Sequence, residues 1–132
     1  MNLGYLVDTD WVIQYLHAHP AIVARLDELQ PQGLGLSIIS LAELWEGVFY
    51  SRDPEGDGQD LADFLRGVTV LGIDADIAQR CGRERGRLRK AGMMIGDFDL
   101  LIGATAVHHN LTLLTNNRNH FERIDGLEIE SV

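Results

Sequence analysis

Acidic residues stand next to apolar stretches at three widely separated places in the chain. Asp8 and Glu43 each come after a short apolar run, and Asp99 stands at the start of a longer one. Hard divalent cations prefer oxygen ligands, and Mg²⁺ is usually held by one or two carboxylates together with water and a substrate phosphate. A cation bound in this way lowers the pKa of its water ligand and neutralises charge on a phosphate. These acids therefore predict a Mg²⁺ or Mn²⁺ site that activates water for attack on a phosphate ester.

Each of these acids also has a purely structural interpretation. Asp8 is in a position typical of a helix N-cap or a turn, and Glu43 comes three residues after Ser40, which is the spacing of a capping box. Asp97 and Asp99 fit the N-cap and first turn of the following helix. Because they are two residues apart, they should not share a helical face. We therefore expect at most one of the pair to be a primary metal ligand.

Apolar runs that alternate with helical patterns indicate the elements that would bring these acids together. Strands are predicted at 4–7, 34–39, 68–73, 112–115 and 127–129. Helices are predicted after Asp8, from Pro20, from Ser40, through Leu61, over 74–91, from the aspartates at 97 and 99, and around Phe121. The polar segment 51–59 predicts a loop. Strands alternating with helices favour an α/β fold with a parallel sheet covered on both faces.

Polar residues are predicted to collect at one edge of this sheet. Ligands of such sheets bind beyond the carboxyl ends of the strands, where the chain changes direction. Asp8 follows the first predicted strand, Glu43 lies just beyond the second, and Asn116 with Asn117 follows the fourth. Residues that are distant in sequence should therefore converge.

Positive charge is concentrated in one segment of an otherwise acidic chain. The formal net charge is −9, but six of the 11 lysines and arginines lie within 80–90, which carries +5 while the remainder carries −14. Four of these basic residues recur at steps of three and four residues, so they should line one side of a helix. They are Arg80, Arg83, Arg87 and Lys90. That side could follow an RNA backbone, and the structural alternative is a solvated helix face. The acidic remainder could attract a basic protein partner.

Length and composition predict one globular domain spanning 1–132. Hydrophobic residues make up 45% of the 132 positions and charged residues 23%, which is ordinary for a globular chain. The single cysteine, Cys81, excludes an internal disulfide. The N-terminus lacks a basic signal region, and no apolar run approaches the roughly 20 residues that span a bilayer. We therefore expect a cytoplasmic protein with no membrane segment.

Four motifs, taken together and in order, resemble those of VapC-type PIN domains. They are YLVDTD at 5–10, SLAEL at 40–44, IGDFDLLIGA at 95–104 and LTNNRNHFERI at 114–124. Their order and spacing cover nearly the whole chain, which makes the combination specific although no single motif is decisive. The resemblance implies a metal-dependent endoribonuclease with a three-layer α/β/α fold around a central, mainly parallel five-stranded sheet. It also implies a homodimer that acts on RNA and is neutralised by a cognate antitoxin.

Matching the motifs position by position assigns the family's metal-binding and catalytic acids to Asp8, Glu43 and Asp99. Asp97 falls where the family often has a non-acidic residue, so the resemblance makes it the weaker metal candidate. The implied cofactor is Mg²⁺ or Mn²⁺.

The last motif departs from the family pattern. Many PIN domains have a fourth acidic residue after the last motif strand, where this chain has Thr115, Asn116 and Asn117. Asn117 is a weak candidate ligand through its carbonyl or a bound water. Thr115 and Asn116 are expected to orient a ligand or a phosphate.

Two other functions remain open from the sequence. The residues DTDWV at 8–12 also resemble the opening motif of haloacid-dehalogenase-like phosphohydrolases, in which Asp8 would be a nucleophile and Asp10 its acid/base, with Lys90 as the only lysine. Against this, the chain is short for that fold, and Glu43 would have no role. The second alternative is a PIN-like module that binds RNA or protein without catalysis. Asp10 separates the two enzymes, because it should be essential only in the phosphohydrolase.

Overall fold

Five short strands form one sheet in the computed structural model, which describes residues 2–132. The strands are β1 (Tyr5–Val7), β2 (Leu34–Ser37), β3 (Thr69–Leu71), β4 (Thr112–Leu114) and β5 (Ile129–Glu130). Their order is β3-β2-β1-β4-β5, and every neighbouring pair is parallel. The predicted five-stranded α/β architecture is confirmed, and the sheet is wholly rather than mainly parallel.

Helices connect these strands, as parallel pairing requires. Within the described range they are α1 (Thr9–Leu16), α2 (Pro20–Leu29), α3 (Ile38–Phe49), α4 (Pro54–Leu65), α5 (Ala75–Lys90), α6 (Asp97–His108) and α7 (Arg118–Phe121). A 3-10 turn, Gln30–Gln32, leads from α2 into β2. Among residues 2–132, no helix combines the length and the apolar character needed to span a bilayer.

Side chains of the sheet alternate between two hydrophobic cores, one on each face. In β1, Val7 packs in a core with Trp11 and Leu61, whereas the neighbouring Leu6 packs in the other core with Leu88. All five side chains are fully buried. Successive strand residues point to opposite faces, so α1 to α4 cover one face and α5 to α7 cover the other. This arrangement gives the three layers.

The predicted boundary between β2 and α3 was wrong by two residues because of a helix cap. The predicted strand 34–39 ends at Ser37, whose hydroxyl accepts a hydrogen bond from the amide of Ile39 at 3.1 Å and starts α3 there. Ser40 therefore lies inside α3, with its hydroxyl buried and without a hydrogen-bond partner among the described residues. The capping-box interpretation of Ser40 and Glu43 is excluded by this earlier start.

The predicted loop at 51–59 was also wrong in part. The Asp53 carboxylate accepts a hydrogen bond from the amide of Gly56 at 3.1 Å, and Pro54 occupies the first position of α4. An aspartate N-cap followed by proline is a strong helix start. This local signal outweighed the polar, glycine-rich composition of the segment.

The carboxyl ends of β1 and β4 meet in the middle of the sheet. Asp8 follows β1 directly and donates its amide hydrogen to the carbonyl of Leu114 at 3.0 Å, while Thr115 follows β4. From β1 the chain continues to β2 on one side, whereas β4 lies on the other side. This is the topological switch point at which open α/β sheets bind ligands.

Candidate functional site

Asp8 and Thr115 form the buried base of the candidate site. Asp8 is 5% exposed, and Thr115 is fully buried. The Thr115 hydroxyl donates to Asp8 Oδ2 at 2.8 Å and accepts from the amide of Asn117 at 3.0 Å. Although Asp8 stands at the start of α1, its side chain makes no capping hydrogen bond. The carboxylate is therefore directed to the end of β4 rather than used as a helix cap.

Asp10 lies beside Asp8, although the nuclease interpretation of the sequence gave it no role. Its carboxylate accepts from the amide of Asn116 at 3.1 Å and lies 3.4 Å from the Thr115 hydroxyl. Burial raises the pKa of Asp8 to about 8; the charge of Asp10 adds to the rise, and the Thr115 hydrogen bond opposes it. Within residues 2–132, neither of these two carboxylates has an ion-pair partner. A divalent cation bound there would favour the ionised carboxylates, so these residues fit a metal.

Glu43 lies on α3 and is oriented by a residue of α1. Its Oε1 accepts a hydrogen bond from the Thr9 hydroxyl at 2.8 Å, and the side chain is half-buried. Thr9 is the residue directly after Asp8, so the end of β1 positions both acids. Sequence reasoning missed this role for Thr9, because the two partners are 34 residues apart.

The two aspartates at the start of α6 have different surroundings, as their spacing predicts. The Asp97 side chain is 65% exposed and accepts from Arg85 Nε at 2.8 Å. The Asp99 side chain is only 24% exposed, and its Oδ2 lies 3.0 Å from His120 Nδ1. Asp99 therefore faces the residues that follow β4, whereas Asp97 faces α5 and solvent.

His120 is a member of this site that sequence reasoning missed. Its Nδ1 lies 3.0 Å from Asp99 Oδ2 and 3.2 Å from Asn117 Nδ2. Asn117 is joined in turn to Thr115, so these contacts connect the end of β4 with the start of α6. The available signal was the spacing of three residues between Asn117 and His120, which brings side chains together on a helical turn.

Asn116 anchors the loop that follows β4. Its Oδ1 accepts hydrogen bonds from Trp11 Nε1 and from the amide of Val132, both at 3.1 Å. Its own amide donates to Asp10. The side chain of Asn116 thus holds the loop in place, and its backbone is the part that contacts an acid of the site.

Among the described residues, the candidate acids do not form a group of three with closely spaced ligand atoms. Among residues 2–132, a single group of three acidic, histidine or cysteine side chains has all its ligand atoms within 4.8 Å of one another, namely Asp74, Asp76 and His108. No such group contains Asp8, Glu43 or Asp99. Water or a substrate phosphate would therefore occupy part of the coordination sphere at the candidate site, which is the usual situation for Mg²⁺.

The Asp74–Asp76–His108 group is remote from that site. His108 ends α6, roughly 14 Å along the helix from Asp99 at 1.5 Å per residue. The surface beside His108 is also lined by Arg80 and Arg83, whose positive charges oppose a cation.

The basic side chains that were predicted to contact RNA lie on α5, and three of them are exposed. Arg83 and Lys90 form no salt bridge with any residue from 2 to 132. Arg80 donates a hydrogen bond to His108 Nδ1 at 3.3 Å. These three remain accessible to a polyanion.

Arg87 differs from the other three because it joins parts of the fold. It donates to Glu84 at 2.7 Å and to the carbonyl of Arg123 at 2.6 Å. Asp125 lies 3.3 Å from the same guanidinium. Arg87 therefore ties α5 to the segment that follows α7, and its charge is already balanced by two carboxylates.

Known proteins resemble this chain over almost its whole length. Residues 5–127 match the PIN domain family. A Rickettsia felis protein named ribonuclease VapC2 is 33% identical over 129 residues, which cover 96% of each chain. A Shigella flexneri protein named tRNA(fMet)-specific endonuclease VapC is 32% identical over 128 residues, which cover 97% of each chain.

Solved structures show the same similarity in three dimensions. The chain aligns with a chain of Rickettsia felis VapBC2, solved with a fragment of promoter DNA, with a TM-score of 0.92 and 32% identity over 98% of this chain and 99% of that one. A DNA-bound VapBC complex from Salmonella typhimurium gives a TM-score of 0.91 and 31% identity over 98% of both chains. This chain therefore shares one fold with the matched chain of each complex.

Proposed function

Because the chain belongs to the PIN-domain family and, within it, to the VapC ribonucleases, we propose that it is a metal-dependent endoribonuclease that acts as a toxin. The observation that carries this proposal is the buried Asp8 carboxylate, held by Thr115 beside Asp10 at the switch point of the sheet. The comparisons favour neither the phosphohydrolase nor the non-catalytic module.

In this proposal Asp8, Glu43 and Asp99 hold Mg²⁺ or Mn²⁺. The bound metal would neutralise phosphate charge and make a water ligand more acidic. The hydroxyls of Thr115 and Thr9 donate 2.8 Å hydrogen bonds to Asp8 and Glu43, so both carboxylates are oriented before a metal or substrate arrives. Partners of this kind are commonly as important to a metal site as the ligands themselves.

The residues after β4 have supporting roles in the same proposal. Thr115 and Asn116 fix the positions of Asp8 and Asp10, and Asn117 is a weaker candidate for a ligand through its side-chain oxygen or a water. Asp97 is the least favoured acid, because its carboxylate is exposed and paired with an arginine of α5.

The experiment that tests the proposal is cleavage of an RNA pool by purified protein freed of any bound partner. The pool should contain tRNA(fMet), since the Shigella flexneri relative is named for it, together with other tRNAs and ribosomal RNA. Gel electrophoresis should show discrete fragments with Mg²⁺ or Mn²⁺, none with EDTA, and none after the cognate antitoxin is added. Fragments that persist in EDTA would contradict the metal, and intact RNA with either metal would favour the binding module.

A groove between α1, α3 and α4 suits a segment of the antitoxin. The groove has a volume of about 250 Å³. Its lining combines apolar and acidic side chains, among them Ile13, Leu16, Leu44, Val48, Glu43, Asp57 and Asp60. Such a surface favours a partner with apolar and basic residues. Because Glu43 lines the groove, a segment bound there would also cover part of the proposed metal site.

We also propose that residues 1–132 form a single PIN domain that dimerises and acts on RNA in the cytoplasm. Phe49 and Tyr50, at the end of α3, are 66% and 87% exposed. Neighbouring apolar side chains left this exposed are typical of a protein interface. Sedimentation of the partner-free protein should give about twice the 14.7 kDa mass of one chain.

Removing the charges of Arg83 and Lys90 together should weaken RNA binding and reduce its salt dependence. In a cleavage-deficient Asp99→Asn background, Arg83→Gln with Lys90→Gln should lower the slope of log Kd against log salt by about 0.7 for each phosphate that is no longer neutralised. Fluorescence anisotropy at several salt concentrations measures that slope. Arg66→Gln is the matched control, because Arg66 is an exposed arginine outside α5. Equal slopes for the double variant and the control would remove Arg83 and Lys90 from the RNA surface.

A further inference from the structure

We propose that His120 is a ligand of the metal centre and that its nitrogen makes this centre prefer Mn²⁺ over Mg²⁺ more strongly than an all-oxygen site would. The inference rests on the proposed function and specifies the metal chemistry of the same site. It concerns a residue for which the sequence motifs gave no role.

The first argument is the distance between the two side chains. His120 Nδ1 and Asp99 Oδ2 lie 3.0 Å apart. Two ligands at right angles around an octahedral ion, each 2.0–2.1 Å from it, are separated by about 3 Å. The pair therefore already has the spacing of adjacent ligands on one ion.

The second argument is the hydrogen-bonding capacity of the ring nitrogen. Asn117 presents its Nδ2 to His120 Nδ1 at 3.2 Å, and an amide nitrogen can only donate. In the neutral tautomer that carries its hydrogen on Nε2, Nδ1 has a lone pair that can bind a cation shared with Asp99.

The third argument is access. The side chain of His120 is 44% exposed and that of Asp99 is 24% exposed, so an ion can reach both from solvent. Asp8, in contrast, is buried at the base of the site. An ion on the His120–Asp99 pair would thus enter from the open side of the centre.

Replacing an oxygen ligand with imidazole changes which metals bind well. Imidazole suits transition metals, whereas Mg²⁺ is best served by carboxylate, carbonyl and water oxygens. A histidine at this position should therefore raise the ratio of Mn²⁺ affinity to Mg²⁺ affinity. His120→Glu, which places an oxygen ligand at this position, should lower the ratio of Mn²⁺ affinity to Mg²⁺ affinity.

The experiment is pulsed electron paramagnetic resonance on the folded full-length protein loaded with Mn²⁺. Spin-echo modulation detects nitrogen nuclei bound directly to the metal, independently of RNA cleavage. We expect nitrogen modulation in the wild type, its loss in His120→Asn, and a rise in the Mn²⁺ Kd of roughly tenfold or more in that variant. Competition with Mg²⁺ then gives the affinity ratio for the wild type and for His120→Glu.

His108→Asn and His19→Asn are the matched controls. His108 belongs to the remote Asp74–Asp76–His108 group, and His19 is exposed at the start of α2. Both variants should keep the modulation. Loss of modulation in His108→Asn but not in His120→Asn would overturn the proposal and move the ion to the remote group.

The failure of this inference can be told apart from failure of the proposed function. If Mn²⁺ binds and RNA is cleaved but the wild type shows no nitrogen modulation, His120 is not a ligand and the nuclease proposal stands. If no Mn²⁺ binds to the folded protein, both proposals lose their metal centre.

Discussion

Asp99→Asn should reduce metal-dependent RNA cleavage by on the order of 100-fold or more, whereas Asp97→Asn should leave it within a fewfold of the wild type. The two acids are in the first turn of α6 and have the same relation to its dipole. They differ in what they face, since Asp99 is beside His120 and Asp97 is paired with Arg85. Only the first substitution should remove a negative charge that holds the metal, and with it the cation that neutralises the reacting phosphate.

This pair of variants controls for stability as well as for chemistry. The Asp97–Arg85 pair is exposed, with side chains 65% and 40% accessible, so its removal should cost at most about 1 kcal/mol of the free energy of unfolding. Initial rates at several RNA concentrations, together with circular dichroism melts, separate a catalytic defect from a folding defect. A larger reduction of rate in Asp97→Asn would mean that the assignment within this motif is reversed, and equal reductions would mean that Asp99 has no special role.

Asp8→Asn should abolish cleavage and yet stabilise the metal-free protein. Burial, with Asp10 nearby, raises the pKa of Asp8 from 3.8 to about 8, so the folded state holds a proton that the unfolded state releases. The free energy of unfolding therefore falls as the pH rises from about 4 to about 8. An asparagine has no charge to bury, so it avoids this loss of stability, and its side-chain oxygen can still accept the hydrogen bond from Thr115.

The expected gain at pH 8.5 is on the order of 2 kcal/mol in the free energy of unfolding, or roughly 5 to 10 °C in Tm. The difference between variant and wild type should shrink as the pH falls towards 5, because ionisation of Asp8 in the unfolded state becomes less favourable as the pH approaches 3.8. Calorimetry in EDTA across this pH range measures the trend. A wild-type Tm above that of the variant at every pH would contradict the burial argument.

Adding Mn²⁺ should raise the Tm of the wild type above that of Asp8→Asn. A ligand that binds only the folded state at about 100 times its Kd adds about 2.7 kcal/mol. The wild type should gain this stability, and Asp8→Asn should gain little of it. If both proteins respond equally to Mn²⁺, then Asp8 does not contribute to metal binding.

Local patterns in the sequence were enough to predict most of the elements. The long helix predicted at 74–91 is α5 at Ala75–Lys90, and the helix predicted from the aspartates is α6, which begins at Asp97. The errors at Ser37 and Asp53 both came from short-range caps that composition concealed. Such errors move a boundary by a few residues and leave the order of elements unchanged.

The chemistry of the acids was also evident from residue types and their order. Asp8 follows β1, and Glu43 lies in the helix that follows β2. Because the carboxyl ends of parallel strands share one edge of a sheet, both acids come to that edge. The motifs around these residues and Asp99 were sufficient to indicate the family, which the comparisons then confirmed.

The sequence by itself determined the order of strands and helices and the acids available to a metal, since both depend on residues within a few positions of one another. The tertiary structure alone decided which partners those acids have. Thr115 bonds Asp8 from 107 residues away, and His120 approaches Asp99 from a separate helix. Periodicity within a segment carries no information on such distant partners, because packing of the two cores against the sheet sets the distances between them.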